Sequence, residues 1–342
     1  MNKAVRHLAD GRRITYYDEG PRPLPRTAVD SRDLPEVTAV SEIRCDPLTG
    51  EQVVIAAHRQ SRTYKPAADL CPLCPSSLGR PTEVPETDYD VVVFDNRFPS
   101  FSGEAGHADV VCFTSDHDSS FRELSPRRVC TVLEALADRT TELSARDGVA
   151  LVFPFENRGE EIGVTLHHPH GQIYAYPFVP PRTERLLQAA RTHRAEHGSE
   201  LLADLLASER ADGRRIVAEG RYWSAFVPPA AKWPVHVLVV PHRQVPDLAA
   251  LTTPEREDFA ELYLSVLRRC DALYDRPLPY VAGWQQAPVH RDRDLAWLHL
   301  ELFSVRRAQD KLKYLAGSES AMAVWINDST PEQIADRLRT AG

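Results

Sequence analysis

Three histidines lie within four positions of one another in the segment GVTLHHPHGQ, residues 163–172. On an extended backbone, residues two apart point to the same side, so His168 and His170 can address one site while Pro169 stiffens the chain between them. One imidazole could then bind a metal ion while the other attacks an electrophile. The alternative is a strand of hydrogen-bonded core histidines, but clusters of polar residues on glycine-rich loops are more often functional.

The residues around this motif suit chemistry at phosphorus. A neutral imidazole is a good nucleophile, and a hydrogen bond at one ring nitrogen leaves the other free to attack. The glycines let backbone N–H groups approach phosphate oxygens, and Thr165 and Gln172 can donate further hydrogen bonds as negative charge develops. No cluster of carboxylates suited to magnesium lies nearby in the sequence. His170 is therefore the candidate nucleophile.

A second group with the spacing of metal ligands is CPLC, residues 71–74. Two thiolates separated by two residues suit tetrahedral zinc but supply only half of a structural site. A redox-active pair is the alternative, although the prolines within and after the motif interrupt the helix start that lowers the pKa of a reactive cysteine. The remaining two ligands must come from elsewhere in the chain, and the candidates are His117 and His168.

Composition excludes several classes of protein. The chain has 342 residues, 42% of them hydrophobic and 26% charged, which is typical of one large globular domain or two smaller ones. No apolar run is long enough to span a bilayer, and the N-terminus lacks the apolar stretch of a secretory signal, so a cytoplasmic location is expected. Six cysteines are too few for a disulfide framework, and the net charge of -8 argues against nonspecific nucleic-acid binding.

The elements that must position these residues are β-strands and two similar helices. Strand-like segments occur at 52–57, 91–94, 109–114 and 150–155, and another follows the HPHG turn. Helices are predicted from Ser125 and from Thr253, because each of these residues precedes a proline and a series of apolar residues at helical spacing. The same order of elements surrounds both helices, which indicates an internal repeat. The arrangement favours a mainly antiparallel α+β fold.

The sequence also predicts boundaries between regions. Polar composition and the prolines at 21, 23, 25 and 35 predict that the N-terminal region is an arm rather than packed core. The predicted regions are an arm at 1–40, a first repeat at 41–182, a linking helix at 183–220 that Gly198 disturbs, a second and degenerate repeat at 221–330, and a C-terminal helix at 331–342.

Six motifs occur in the order in which they are found in galactose-1-phosphate uridylyltransferases, namely CPLC, FDNRF, CFTSDH, FENRG, HPHGQ and KYLAGSE. The resemblance covers residues 40–330. That family resembles a branch of the histidine-triad superfamily with two fused copies of the fold, in agreement with the internal repeat. Its HPH-x-Gln form distinguishes the transferases from the superfamily's hydrolases, which carry a third histidine where this chain has Gln172.

The resemblance implies a nucleotidyltransferase reaction in two displacements. His170 would attack the α-phosphorus of UDP-glucose while Gln172 hydrogen-bonds the phosphoryl oxygens, and galactose 1-phosphate would then accept UMP from the uridylyl-His170 intermediate. The positions that match the family's phosphate contacts are Asn157, Gly163 and Thr165. Those that match its uridine pocket are Leu73, Phe94, Asn96, Phe98 and Val110.

The resemblance also implies a cofactor and a partner. Cys71, Cys74, His117 and His168 match the family's zinc ligands and would complete a structural Cys2His2 site. The family's hexose-phosphate segment reaches the active site from the other subunit of a homodimer, and it is matched by Lys313, Tyr314, Gly317 and Glu319.

Several positions depart from the family's best-known bacterial pattern. Some members have a second, iron-type site of one Glu and three His, but only His299 matches it here. Gln285, Glu301 and Leu186 stand at the other positions, so no family-type iron site is expected. Ser318 and Trp325 differ in the sugar segment, and Arg97 replaces an acidic residue near the nucleotide, which leaves the exact hexose open.

Two other functions are compatible with the motifs. The first is a related nucleotidyltransferase or phosphorylase that acts on ADP-sugars or dinucleoside polyphosphates, because such relatives also use an HPH-x-Gln site. The second is a noncatalytic nucleotide-binding module, since the second repeat lacks the motif. The first repeat, however, keeps the nucleophile, the glutamine and the glycine-rich loop together.

Overall fold

The computed structural model describes residues 2–21, 25–38, 40–61 and 63–341. Pro23 of the predicted arm and Gly342 of the predicted C-terminal helix lie outside the described residues. The chain divides into two compact units. Unit 1 consists of Met1–Pro154, Thr165–Glu184 and Pro288–Arg291, and unit 2 consists of Phe155–Val164, Arg185–Ala287 and Asp292–Gly342.

Unit 1 is built on a sheet in the order β1-β2-β5-β6-β8-β7, backed by helix α1. The pairings from β1 through to β8 in this order are antiparallel. A separate antiparallel hairpin, β3-β4, lies outside this sheet. The elements are β1 (Asn2–His7), β2 (Arg13–Asp18), β3 (Glu42–Cys45), β4 (Gln52–Ile55), β5 (Val91–Asp95), β6 (His107–Cys112), α1 (Pro126–Ser144), β7 (Leu151–Arg158) and β8 (His170–Tyr176).

In unit 2 the strands follow the order β7-β12-β13-β11-β10-β9 with antiparallel pairing, and residues 155–158 of β7 pair with β12. Helix α4 contacts β9 and β10. The remaining elements are α2 (Pro181–His197), α3 (Leu201–Asp212), β9 (Ile216–Glu219), β10 (Trp223–Phe226), β11 (Val235–Pro241), α4 (Thr253–Asp271), β12 (Tyr280–Gln285), β13 (His299–Ser304), β14 (Arg306–Ala308), β15 (Lys311–Leu312), α5 (Gly317–Met322) and α6 (Pro331–Thr340).

The two predicted helices are confirmed; the first has its N-cap at Ser125 as expected, whereas the N-cap of the second is Thr252, one residue before the expected Thr253. The Ser125 side chain accepts a hydrogen bond from the Arg128 N–H, and Thr252 forms a capping box with Glu255. Gly198 ends α2 with a φ of 69°, a conformation that favours glycine, and α3 follows three residues later. None of the helices in the described ranges has the length and apolar character needed to cross a bilayer.

The two units repeat one topology. Strand order β2-β5-β6-β8-β7 in unit 1 corresponds to β9-β10-β11-β13-β12 in unit 2, and a 19-residue helix follows β6 and β11 alike. The internal repeat and the mainly antiparallel α+β fold are therefore confirmed.

The N-terminal region differs from the predicted arm. Residues 2–18 form the hairpin β1-β2, and β2 pairs with β5 as an integral strand of the sheet. Ile14, Tyr16 and Tyr17 are almost completely buried. The prediction was wrong because the prolines at 21–35 dominated the composition, whereas the β-branched and aromatic residues of RITYYD are a strand signal.

Candidate active site and metal centre

Strand β8 presents the predicted nucleophile in unit 1. Its side chains alternate, with Gly171, Ile173 and Ala175 buried while His170 and Gln172 are half-buried on the other face. In the pairing with β6, His170 lies opposite Cys112 and Gln172 lies opposite Val110. The two predicted catalytic side chains therefore share one face of the sheet, whereas His167 is exposed.

The hydrogen bonding of His170 determines which ring nitrogen can react. Nδ1 lies 2.7 Å from the carbonyl oxygen of His168. A carbonyl can only accept, so Nδ1 carries the proton and Nε2 keeps a free lone pair. Burial lowers the pKa of His170, although the bond to His168 acts in the opposite direction. The imidazole is thus a neutral nucleophile with its reactive nitrogen set by a backbone contact.

Gln172 is oriented by two residues that sequence reasoning missed. The Tyr174 hydroxyl donates to Gln172 Oε1 over 3.1 Å, and the Ser100 hydroxyl lies 2.8 Å from the Tyr174 oxygen. Because the single hydroxyl proton of Tyr174 is used in the bond to Gln172, the Ser100 hydroxyl must be the donor to the Tyr174 oxygen. The Gln172 oxygen is then occupied, and its NH2 group is available for an acceptor such as a phosphoryl oxygen. The i, i+2 spacing of Gln172 and Tyr174 on a strand was the available signal.

The four predicted metal ligands come together in unit 1. One ligand atom from each of Cys71, Cys74, His117 and His168 lies within 4.8 Å of the others, so this group could hold a metal ion. Cys74 Sγ is 3.4 Å from His117 Nδ1 and 3.6 Å from His168 Nδ1. Two thiols and two imidazoles are a donor set typical of tetrahedral zinc.

The second nitrogen of His168 supports this interpretation. Nε2 lies 2.8 Å from the Thr114 carbonyl oxygen, which can only accept, so the proton is on Nε2 and the Nδ1 lone pair faces Cys74. The Tyr89 hydroxyl, which donates to the Leu73 carbonyl, also lies 2.8 Å from Nε2. Tyr89 is a further residue that the motifs did not reveal, since no local pattern links it to His168.

Comparison with known proteins shows the family of this chain. The models of the N-terminal and C-terminal domains of galactose-1-phosphate uridyl transferase match residues 100–180 and 187–341. A galactose-1-phosphate uridylyltransferase of Streptomyces lividans is 46% identical, with 99% of this chain and 98% of the relative covered. Its counterpart from Thermotoga maritima is 35% identical, with coverage of 87% and 98%.

The chain belongs to the galactose-1-phosphate uridylyltransferase family. A solved uridylyltransferase structure superimposes with a TM-score of 0.79 at 33% identity, with 88% of this chain and 98% of the other covered. An ADP-glucose phosphorylase from Arabidopsis thaliana shares the fold, with a TM-score of 0.69 at 20% identity and coverage of 87% and 98%.

The residues at the family's uridine positions form two groups. Leu73, Phe94 and Val110 are at most 9% exposed and pack in one core cluster with Cys71 and Cys74. Asn96 and Phe98 are half-buried, and the Asn96 Oδ1 accepts a hydrogen bond from the Phe98 N–H over 2.9 Å. The first group can form only the apolar base of a pocket, while the second offers surface to a ligand.

Residues 57–61 and 63–65 contact the chain beside a predicted uridine residue and a predicted phosphate contact. His58 Nε2 is 2.8 Å from the Pro99 carbonyl, next to Phe98, and the Lys65 N–H donates to the Thr165 carbonyl over 3.0 Å. Within this segment, Arg59 Nη1 is buried without a hydrogen-bond partner in the part of the chain that the structure describes. A guanidinium with unused donors suits an anionic ligand. The motifs gave no signal for Arg59.

The other predicted phosphate contacts lie in unit 2. Asn157 is in β7 opposite Val281 of β12. Gly163 follows the turn at 160–162 with a φ of 85°, a left-handed conformation that favours glycine.

The segment predicted to bind a hexose phosphate is part of unit 2. Lys313 Nζ donates to the carbonyls of Lys232 and Ile326 and lies 3.4 Å from Glu319 Oε1. Its side chain is 8% exposed, whereas Tyr314 is largely exposed and Gly317 begins α5. The Lys313 ammonium is therefore satisfied within its own unit.

The positions that correspond to an iron-type site are occupied differently. Glu301 Oε1 lies 2.9 Å from His236 Nε2, and His299 Nδ1 lies 2.8 Å from the Trp297 carbonyl. Leu186 is exposed, and Gln285 pairs with His299 in the β12–β13 ladder. In the ranges that the structure describes, neither His299 nor Glu301 belongs to a group of three ligands close enough to hold a metal ion.

A second group of possible ligands in unit 1 consists of Asp95, His107 and Asp109. Asp109 Oδ2 also accepts a hydrogen bond from Arg139 Nε, and Asp95 Oδ2 accepts from the Arg13 N–H. Burial opposes protonation of His107, but its hydrogen bonds to Asp109 and Asp95 raise its pKa to about 9. A protonated His107 and Arg139 balance the two carboxylates, so this group needs no metal ion.

Proposed function

We propose that the protein transfers UMP from UDP-glucose to galactose 1-phosphate, which gives UDP-galactose and glucose 1-phosphate. The observation that carries this proposal is the hydrogen bond from His170 Nδ1 to the His168 carbonyl, because it leaves Nε2 as a nucleophile beside an oriented Gln172. Full-length similarity to galactose-1-phosphate uridylyltransferases supports the choice of substrates.

The reaction proceeds in two displacements. Nε2 of His170 forms a bond to the α-phosphorus of UDP-glucose, and the bond from that phosphorus to the bridging oxygen breaks, which releases glucose 1-phosphate. A phosphate oxygen of galactose 1-phosphate then attacks the same phosphorus, and the bond to Nε2 breaks. The backbone contact keeps the proton on Nδ1 throughout and stabilises the uridylyl-imidazolium.

Other residues bind the substrate and its developing charge. The Gln172 NH2 group donates to the phosphoryl oxygens, and Arg59 supplies a cation with unused donors. Asn157, Gly163 and Thr165 complete the phosphate contacts. Asn96 and Phe98 hold the uridine, with Leu73, Phe94 and Val110 beneath.

The intermediate provides the direct test. Incubation with UDP-glucose alone should leave UMP on His170, which peptide mass spectrometry detects, and double-reciprocal plots should be parallel. His170→Gly should lose activity on the order of a millionfold, the scale seen when a covalent catalyst loses its nucleophile. UMP on another residue, or intersecting lines, would contradict the mechanism. Faster turnover of ADP-glucose with phosphate would instead favour the phosphorylase function.

We also propose that the metal is zinc, bound by Cys71, Cys74, His117 and His168 as a structural site. The soft donors, and the imidazole nitrogens held toward Cys74, support zinc over magnesium or calcium. When bound, the ion would hold in place the start of the strand that bears His170, through His168.

Metal analysis tests this site. Purified protein should contain about one zinc per chain, the stoichiometry of a four-ligand structural site. Cys74→Ser should lose most of this zinc and unfold at a lower temperature, whereas Cys45→Ser, at an exposed cysteine outside the site, should retain both properties. Equal zinc content in the two variants would rule out the proposed ligand set.

We further propose a homodimer in which Lys313, Tyr314, Gly317 and Glu319 serve the hexose phosphate of the partner's site. Five large apolar side chains of this region are exposed, which is unusual for a surface that stays in water: Tyr314, Leu315, Met322, Val324 and Ile326.

A further inference from the structure

The tip of the N-terminal hairpin carries a buried arginine. Arg12 follows the tight turn in which the Gly11 N–H donates to the Leu8 carbonyl, and its side chain is only 5% exposed. Its guanidinium donates to three groups, namely Asp10 Oδ2 at 2.8 Å, the Asp95 carbonyl at 2.9 Å and Glu83 Oε2 at 2.5 Å. A planar guanidinium with several donors is suited to joining such separate acceptors.

Glu83 connects this arginine to the metal-binding turn. Its backbone N–H donates to the Pro72 carbonyl over 3.0 Å, between the two cysteine ligands. The neighbouring Thr82 hydroxyl donates to the Cys74 carbonyl over 2.5 Å. The segment that anchors the side chain of Glu83 therefore also supports the turn that bears Cys71 and Cys74.

Asp95 connects the same arginine to the uridine positions. It is the last residue of β5 and directly precedes Asn96, whose N–H donates to the Ala108 carbonyl. The Asp95 carbonyl accepts from Arg12, while its carboxylate accepts from the Arg13 N–H at 2.9 Å. Two consecutive residues of the hairpin thus determine where the chain leaves β5 for Asn96 and Phe98.

A second arginine reaches Glu83 but not Asp95. Arg32 makes a bidentate pair with Asp30, and its Nη1 lies 2.8 Å from Glu83 Oε1. Asp30 in turn accepts a hydrogen bond from the Ala9 N–H of the hairpin. Glu83 is therefore a buried carboxylate that pairs with Arg12 and Arg32 and also lies 3.9 Å from Arg97 Nη1, so its position depends on more than one guanidinium group.

We propose that residues 2–21 and 25–32 are a brace for the active site, in which Arg12 and Glu83 are positioning residues that set the metal-binding turn and the uridine-binding segment together. The part that concerns uridine rests on the proposed function. Arg12 acts on both regions, whereas Arg32 acts only on the metal-binding turn through Glu83.

The test compares three variants, Arg12→Lys, Arg32→Lys and Glu83→Gln, with one control. The control is Arg44→Lys, because Arg44 belongs to a surface ion pair and about two-thirds of its side chain is exposed. Lysine keeps the positive charge of arginine but lacks the planar guanidinium group that donates to several acceptors at once. For each full-length zinc-loaded protein, zinc release to a chromophoric chelator and UDP binding by calorimetry are measured after circular dichroism has shown that the variant is folded.

We expect Arg12→Lys to accelerate zinc release roughly 10-fold, the scale seen for residues that orient metal ligands, and to weaken UDP binding. KM for UDP-glucose should rise while kcat falls less than twofold. Arg32→Lys and Glu83→Gln should accelerate zinc release, and Arg32→Lys should leave UDP binding within a factor of two of wild type.

The brace is overturned if folded Arg12→Lys releases zinc and binds UDP as Arg44→Lys does, or if it only lowers the melting temperature. If Arg12→Lys does not fold, equal zinc release by Glu83→Gln, Arg32→Lys and the control overturns it instead. Absence of uridylyl transfer by the wild type would contradict the proposed function alone, because neither zinc release nor UDP binding requires catalysis.

Discussion

At the scale of residues, backbone carbonyls decide the chemistry of two histidines that differ by two positions. His168 donates a hydrogen bond from Nε2 to the Thr114 carbonyl, so its Nδ1 faces the cysteines. His170 donates from Nδ1 to the His168 carbonyl, so its Nε2 is left free. The same residue type is therefore arranged for the proposed metal ligand in one case and for the proposed nucleophile in the other.

The Tyr174 hydroxyl should matter for turnover although it does not touch substrate in this scheme. Tyr174→Phe frees Gln172 Oε1, so the amide can rotate and present its oxygen to a phosphoryl group. We expect kcat to fall by roughly 10-fold, about the effect of one misplaced hydrogen-bond donor. The control is Tyr176→Phe, which removes a hydroxyl two residues further along the same strand face. Equal kcat values for the two variants would contradict this orienting role.

At the scale of elements, strand β7 carries a buried acid beside a predicted phosphate contact. The Tyr280 hydroxyl of β12 donates to Glu156 Oε2 over 2.9 Å, and Arg158 pairs with Asp271 of α4 nearby. Burial raises the pKa of Glu156 to about 7, against the lowering effects of Tyr280 and Arg158. The carboxyl is thus mostly protonated in mildly acidic solution.

Glu156 should make stability depend on pH. A raised pKa means that the folded state binds the proton more tightly, so this contribution is complete below the unfolded pKa near 4.5 and is lost as the pH rises through about 7. The free energy of unfolding should fall by up to about 1.4 kcal/mol per pH unit in this range. Glu156→Gln should remove that slope in urea titrations at pH 5 to 8.

The matched control for Glu156 is Glu219→Gln, at a half-exposed ion pair with Arg210 in the same unit. It should keep the slope of the wild-type protein. A slope in Glu156→Gln as steep as in this control would show that other groups cause the pH dependence.

At the scale of the whole molecule, the proposed shared sites predict complementation between subunits. Sizing should give twice the chain mass of 38.4 kDa. His170→Gly and Lys313→Met should each be inactive as homodimers, but heterodimers obtained by mixing should regain up to about one quarter of wild-type activity per chain if subunits exchange at random, because one site in each heterodimer is intact.

The control for subunit exchange is a mass or fluorescence label on each variant. Demonstrated heterodimers without recovered activity would contradict shared sites. The melting temperature of Lys313→Met homodimers must also be measured, and the variant must be folded at the assay temperature, since the substitution removes the bonds of Lys313 to Glu319 and to two carbonyls within its own unit.

The motifs determined the chemistry that this chain can carry. The HPHGQ segment identified the candidate nucleophile, and CPLC with two distant histidines identified a donor set that the structure brings within 4.8 Å. Helix caps and apolar periodicity located α1 and α4, and their similar surroundings revealed the repeat. These features are visible in the sequence because strand alternation, helix periodicity and ligand spacing are local properties.

Only the tertiary structure decided which distant residues support that chemistry. Tyr89 reaches His168 across 79 residues, Ser100 reaches Tyr174 across 74, and Arg12 reaches Glu83 across 71 and Asp95 across 83. No spacing rule connects such pairs, because they meet through strand pairing and packing. The prediction for the N-terminal hairpin was wrong for the same reason. Its burial depends on the pairing of β2 with β5, a strand more than 70 residues away in the sequence. Without that pairing, these residues resemble a polar arm.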